Sequence, residues 1–246
     1  MQRLLLPLLA LLTTFGCVAP HVVPSTQSQG FRLSDLRSQR VAVFPIATVE
    51  LDESAYDTVA AEYKSRNAFL DALSAKFSKR VVSICKEPSL DSSQVQTLLL
   101  AGESTKALLD PATLLGTQNP NNRLAEAVPS SGMATLERIP ELKGVRYALV
   151  VRDLGVGRQW NTTSSMGGGF VSAGPGGGTF VGGGSSSSAK TSARLRLVIL
   201  DLEAKAVAWD GAIFADASST FMKATALHEV EEDLTAHFVN SILGIK

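Results

Sequence analysis

Reactive side chains are scarce in this chain of 246 residues, which has two cysteines, three histidines, two tryptophans and three tyrosines. Two cysteines cannot build a disulfide framework, and three histidines leave little material for metal binding or acid–base catalysis. An excess of charge of one sign is missing too: 23 basic residues stand against 23 acidic ones. A surface that binds nucleic acid needs a basic excess to neutralise phosphates, so the balance argues against such a partner. Aromatic residues make up only 6%, which disfavours a sugar-stacking cleft. What is present is apolar: 45% of residues are hydrophobic, enough for the core of one large domain or two small ones.

The first seventeen residues carry an address. Arg3 precedes an apolar run from Leu4 to Leu12, followed by Thr13, Thr14, Phe15, Gly16 and Cys17. A charged start, a short apolar stretch and a small residue at the end are the parts of a secretory signal peptide. The run is too short to span a bilayer, which takes about 20 apolar residues. Cys17 directly after Gly16 resembles the bacterial lipobox, although Thr14 stands where Leu is commonest and Phe15 is bulkier than usual. That resemblance implies a signal peptide over residues 1–16 and a mature lipoprotein whose first residue, Cys17, carries acyl chains such as palmitate. Val18 after the cysteine, where Asp would favour the inner membrane, implies the bacterial outer membrane, with the protein facing the periplasm. Two or more acyl chains make a stable membrane anchor. The alternative is an ordinary signal peptide cleaved near Ala19, leaving a periplasmic protein. With Cys17 acylated, Cys85 has no partner in the chain and reads as a buried, inert thiol.

Residues 17–38 hold Pro20, Pro24, Ser25, Gln27, Ser28 and Gly30 with few apolar groups, a composition that suits a lipidated tether. A single α/β domain is expected over 39–246. It opens with a buried strand at residues 40–46. Phe69, Leu70, Leu73 and Phe77 recur at helical spacing, and residues 80–84 read as a second strand. Together they make an N-terminal βαβ unit. Prolines and asparagines interrupt residues 86–142, so short helices and loops are expected there, including one starting near Ser92 or Ser93 and one over residues 133–142. Residues 144–152 form a strand. Residues 164–190 hold a glycine- and serine-rich stretch, read as a flexible insertion at a hairpin tip. Residues 194–200 and 205–215 form a second hairpin with its turn at 201–204. Leu227, Val230, Leu234, Phe238 and Ile242 share one face of a closing helix, with Gly244 as its C′ residue. The expected fold is therefore one mixed sheet with helices mainly on one face, C-terminal antiparallel hairpins and a closing helix.

No motif with a known chemistry survives inspection. The glycine-rich stretch lacks the Gly-Lys-Ser/Thr ending of a phosphate loop, and no GxGxxG opens a helix, so no cofactor is expected. His228-Glu229 begins like a zinc-protease motif, but Glu232 occupies the position of its second histidine. His228 and His237 lie nine residues apart, half a turn out of phase, and cannot share a metal on one helix. His21 falls in the expected tether, and Asp233 with His237 reads as a surface pair. No nucleophile elbow such as GxSxG is present. The candidate contact residues are those apolar groups set among glycines, Phe170, Val171, Phe180 and Val181, together with Trp160.

The strand at residues 41–46 with Pro45, the segment at residues 144–151 and the hairpin returning through Trp209 resemble a group of bacterial envelope α/β domains. It includes the N-terminal domain of the Tol-system protein TolB, the curli-secretion lipoprotein CsgG and the penicillin-binding-protein activator LpoB. The resemblance covers residues 40–84 and 144–243 and rests on hydrophobic pattern, so it implies fold rather than role. The leading expectation is a non-enzymatic, membrane-anchored protein that binds or scaffolds another envelope protein, through a sheet edge, the glycine-rich hairpin, or both. The alternatives are a subunit of an oligomeric outer-membrane secretion channel and a hydrolase with an unrecognised site. Residues 158–190 lack the sustained apolar alternation that a membrane barrel strand requires.

Overall fold

A computed structural model of the chain describes residues 21–115, 130–164, 170–172, 178–180, 185–220 and 227–245. The expected Cys17 attachment point lies outside them. One six-stranded mixed sheet organises the molecule: β1 (Val22–Gln27), β8 (Ala206–Thr220), β7 (Ser185–Asp201), β4 (Tyr147–Ser164) and β2 (Val41–Val43) lie in that order, and β3 (Glu50–Leu51) continues beside β4. β2 and β3 run parallel to β4, whereas the β4–β7, β7–β8 and β8–β1 pairs are antiparallel. The mixed α/β architecture matches the sequence expectation.

The period-2 rule separates two cores. Val41, Val43, Tyr147, Leu149, Val151, Leu195, Leu197 and Ile199 point to one face, where they meet the long helices α1 (Glu53–Tyr63), α2 (Arg66–Ile84) and α7 (Leu227–Leu243). Ala42, Phe44, Ala148, Val150, Val198 and Leu200 point to the other. There they are covered by α3 (Ser92–Leu100), which the one-turn α4 (Glu103–Lys106) follows, by the short α5 (Pro111–Leu115) and α6 (Ser130–Leu136), and by neighbouring turns. The broken region between 86 and 142 thus builds the second layer, through short helices as its prolines require. Asp91, rather than Ser92 or Ser93, caps α3, and Gln94 completes a capping box with it.

The buried stripe of α7 is the one read from its spacing. Leu227, Val230, Leu234, Phe238 and Ile242 are each at most 2% exposed, and burial of such side chains stabilises by about 1.5–3 kcal/mol each. Phe238 packs between Phe77 and Trp209, with ring centroids 5.4 and 6.4 Å away. Gly244, at φ +71°, ends the helix in the left-handed conformation that glycine adopts without steric cost.

Two sequence expectations are corrected. Residues 80–84 are the last turns of α2, not a strand. Val81 lies four residues after Phe77 and continues the same buried stripe, with no glycine or proline between them, so helical burial outweighs the β-preference of Val81 and Val82. The chain then returns to the sheet only at Leu90, which makes one parallel bridge beside β2. The extended parallel partner of β2 is β4.

The segment read as a tether is the second correction, because residues 22–38 belong to the domain. β1 hydrogen-bonds along β8, and Phe31 and Leu36 are buried in the main core. An edge strand needs few apolar side chains, and Pro24 sits at a register irregularity where a missing N–H is tolerated.

The hairpin at residues 164–190 is also more regular than expected. The β4–β7 ladder continues unbroken from Asp153↔Arg196 to Ser164↔Ser185, so the serine run is strand. Within the tip, β5 (Phe170–Ser172) and β6 (Gly178–Phe180) form a separate two-stranded sheet. Among the described residues no helix is long and apolar enough to cross a membrane.

Candidate functional site

Beyond Val151 the two faces of the sheet part company. On the helical face Leu154, Val156, Ala193, Leu195, Ile213 and Ala215 remain buried. On the opposite face the short helices stop, and Arg152, Asp153, Arg194, Arg196 and Phe214 occupy the alternate positions, half-buried or exposed. A sheet face clothed on one side and open on the other is a surface that a second molecule can cover.

Glycines shape this open face. Gly155 and Gly157 lie on the outward side of β4, and with Ser192, Arg194 and Phe214 they line a shallow hollow of about 510 Å³. A Cβ on Gly155 would meet no atom within 4 Å, so its floor position is open space. Phe214, 39% exposed, supplies an apolar wall. Asp52 closes the far side. Its Oδ1 caps α1 by accepting from Ala55 N at 2.7 Å, and its Oδ2 accepts from Arg158 N at 2.7 Å. One carboxylate thereby fixes both a helix start and the strand beside the hollow.

The charges of the open face are held in pairs. Asp210, 1% exposed, accepts two bonds from Arg196, at 2.8 Å from Nη2 and 3.2 Å from Nε. This bidentate arrangement pushes the Arg196 guanidinium up. Arg194 Nη2 lies 3.3 Å from Asp153 Oδ1. Arg152 is pushed down by burial and by repulsion from Arg196, and its buried Nη1 has no hydrogen-bond partner. The open face thus presents guanidinium groups held by carboxylates, with Arg194 at the wall of a hollow that polar and apolar groups line together.

The residues singled out from sequence are placed as follows. Trp160 pairs with Ala189 in the β4–β7 ladder. Phe170 stands opposite Phe180, and Val171 opposite Thr179, in the β5–β6 hairpin. Val181 lies outside the described residues. Cys85 is half-buried, its Sγ lies 3.4 Å from Val81 O, and burial pushes its thiol up.

A second cluster escaped the sequence reading. His21, at the start of β1, stacks on His237 of α7 with ring centroids 3.7 Å apart and planes 8° from parallel. Asp233 lies one turn before His237, its Oδ1 2.7 Å from His237 Nε2. The ligand atoms of these three residues all lie within 4.8 Å of one another. Sequence showed the Asp233–His237 spacing, but not that residue 21 lies at the sheet edge, directly before β1. The Gly155-x-Gly157 pattern inside a strand was an available signal for the hollow, because glycine within a strand marks a close approach.

No protein-family model and no curated protein matches the chain. Among solved structures, a PelC dodecamer from Paraburkholderia phytofirmans is similar at 10% identity and a TM-score of 0.33, over 92% of this chain and 98% of that one. A neuraminyllactose-binding hemagglutinin homolog from Helicobacter pylori, described as putative, is 7% identical with a TM-score of 0.36, over 90% and 88% of the two chains. A hypothetical protein from Chlamydia trachomatis is 12% identical with a TM-score of 0.34, over 84% and 99%. Likeness at this level is distant.

Proposed function

We propose that this chain is a lipid-anchored protein of the bacterial outer membrane that faces the periplasm and works by binding another envelope protein, not by catalysis. The observation that carries the reading is the open half of the sheet, with a glycine-floored hollow walled by Phe214 and Arg194. The hollow receives an apolar side chain of the partner against Phe214, and Arg194, more than half exposed beside Asp153, engages a carboxylate of the partner. Its anchor is Cys17. β1 begins at Val22, and the four-residue step from Cys17 to His21 reaches at most about 14 Å. The domain is therefore held close to the bilayer rather than on a long leash, and its partner reaches it near the membrane surface.

In-cell photocrosslinking tests this. A crosslinking side chain at Phe214 should give a discrete adduct, and one at Lys79, on the outward side of α2, should not. Adding Gly155→Trp, which fills the hollow, should abolish the Phe214 adduct while the protein stays folded. Equal adducts from Phe214 and Lys79, or an adduct indifferent to Gly155→Trp, would overturn the reading.

A further inference from the structure

We infer that His21, Asp233 and His237 form a binding site for a divalent transition-metal ion, with zinc as the natural occupant. Three elements converge to make it. The backbone of His21 is fixed at the sheet edge, where its carbonyl accepts from Phe214 N at 2.7 Å. His237 and Asp233 project from successive turns of α7, and Asp233 Oδ2 is reached by Asp216 N of β8 at 3.4 Å. Two imidazoles and one carboxylate are the donor set of an open three-ligand zinc centre, whose fourth position is left for water or another group.

The geometry asks little of the protein. Ligand atoms on a tetrahedral zinc stand about 3.3 Å apart, given bond lengths near 2.0–2.1 Å. Here they already lie within 4.8 Å, and closing the site takes rotation of the imidazoles out of their stack, so that their in-plane lone pairs converge. His237 Nε2 lies 2.7 Å from Asp233 Oδ1, and this buried nitrogen is left without a hydrogen-bond partner. A metal bound to both atoms, once they part by about 0.6 Å, would satisfy both. His21 is exposed, so the ion has an entry path. Because His21 and Phe214 share a backbone hydrogen bond, the metal would clamp β1 and α7 to the strand that carries one wall of the hollow.

The test uses the full-length chain without a histidine tag, in mild detergent. Zinc and cobalt are titrated by calorimetry and by visible absorption. The expected result is one equivalent bound, a cobalt d–d band, and a rise in Tm of about 5 °C at saturating zinc. His21→Ala and Asp233→Asn should each weaken binding at least about tenfold. His228→Ala, an exposed histidine elsewhere on α7, should leave binding unchanged. His21 is an exposed residue at a strand end, so its variant keeps the fold, and thermal unfolding verifies this. Failure to bind zinc or cobalt stoichiometrically, or binding unaltered by His21→Ala, would overturn the inference.

Discussion

The indole of Trp209 packs against Gly211, two residues along β8, so that a methyl group on Gly211 would fall inside contact distance of the ring carbons Cζ2 and Cη2. The same methyl would stand 2.8 Å from Val23 O on β1. This is close packing of backbone on ring and on a strand carbonyl, so the ring or a strand must shift to admit the methyl. Gly211→Ala should therefore cost about 1–3 kcal/mol, as overpacking in a filled core does. Urea denaturation measures it, and a changed Trp209 fluorescence maximum should accompany the loss. A variant as stable as the parent, with unchanged fluorescence, would show that the ring has room to move.

A buried carboxyl on α7 sets a pH dependence. Glu231, 4% exposed, accepts a 2.6 Å hydrogen bond from Tyr63 Oη and lies 3.7 Å from Lys76 Nζ. Burial pushes Glu231 up, and the tyrosine and lysine only partly oppose it. Burial, with Glu231 beside it, pushes the Tyr63 phenol up as well, so the phenol remains a donor. With its folded pKa above the unfolded one, Glu231 contributes stability that is full below the ordinary glutamate value. That contribution is lost as pH rises through the raised value. Glu231→Gln keeps an acceptor for Tyr63 and removes the charge. Chemical denaturation from acid to neutral pH should show a shallower decline for the variant, with no loss of stability at pH 7. Tyr63→Phe should instead cost about 1 kcal/mol by removing a donor from a buried acceptor. A Glu231→Gln variant more than about 1 kcal/mol weaker at neutral pH would contradict this account.

The boundary between anchor and domain can be measured directly. Cys17→Ser should release the protein from membranes into the soluble fraction. A chain beginning at His21 should melt at the temperature of that released protein, because β1 is intact. A chain beginning at Ser28 loses β1 and uncovers the edge of β8, and its Tm should fall by about 5 °C or more. Equal melting temperatures for the two truncations would return residues 22–27 to the role of a tether.

Several elements were legible because one residue type repeats at the period of its element. The i, i+3, i+4 apolar stripe of α7 and the alternating strands around Leu149, Leu197 and Trp209 each meet a core on a defined side, and burial enforces that pattern residue by residue. Other elements were not legible, for physical reasons. β1 is stabilised by backbone pairing to β8, which leaves no apolar signature, and its proline and serines look like a linker. Residues 80–84 have β-branched side chains, but their partners are Phe77 on the same stripe and the sheet beneath it, so the helix runs on. The hollow exists because two glycines on β4 face outward beside Phe214 on β8, a juxtaposition across 57 to 59 residues of chain.

The scarcity of histidine shows most plainly how the work is divided. By itself the sequence determined the composition, the amphipathic faces and the N-terminal lipobox-like segment, because these depend on neighbours a few residues apart. Only the tertiary structure decided that two of the three histidines meet. His21 and His237 are separated by nearly the whole chain, and they stack because β1 closes the sheet edge where α7 packs against it. Such a contact is set by backbone pairing and helix docking, which act between segments and leave no local trace in either.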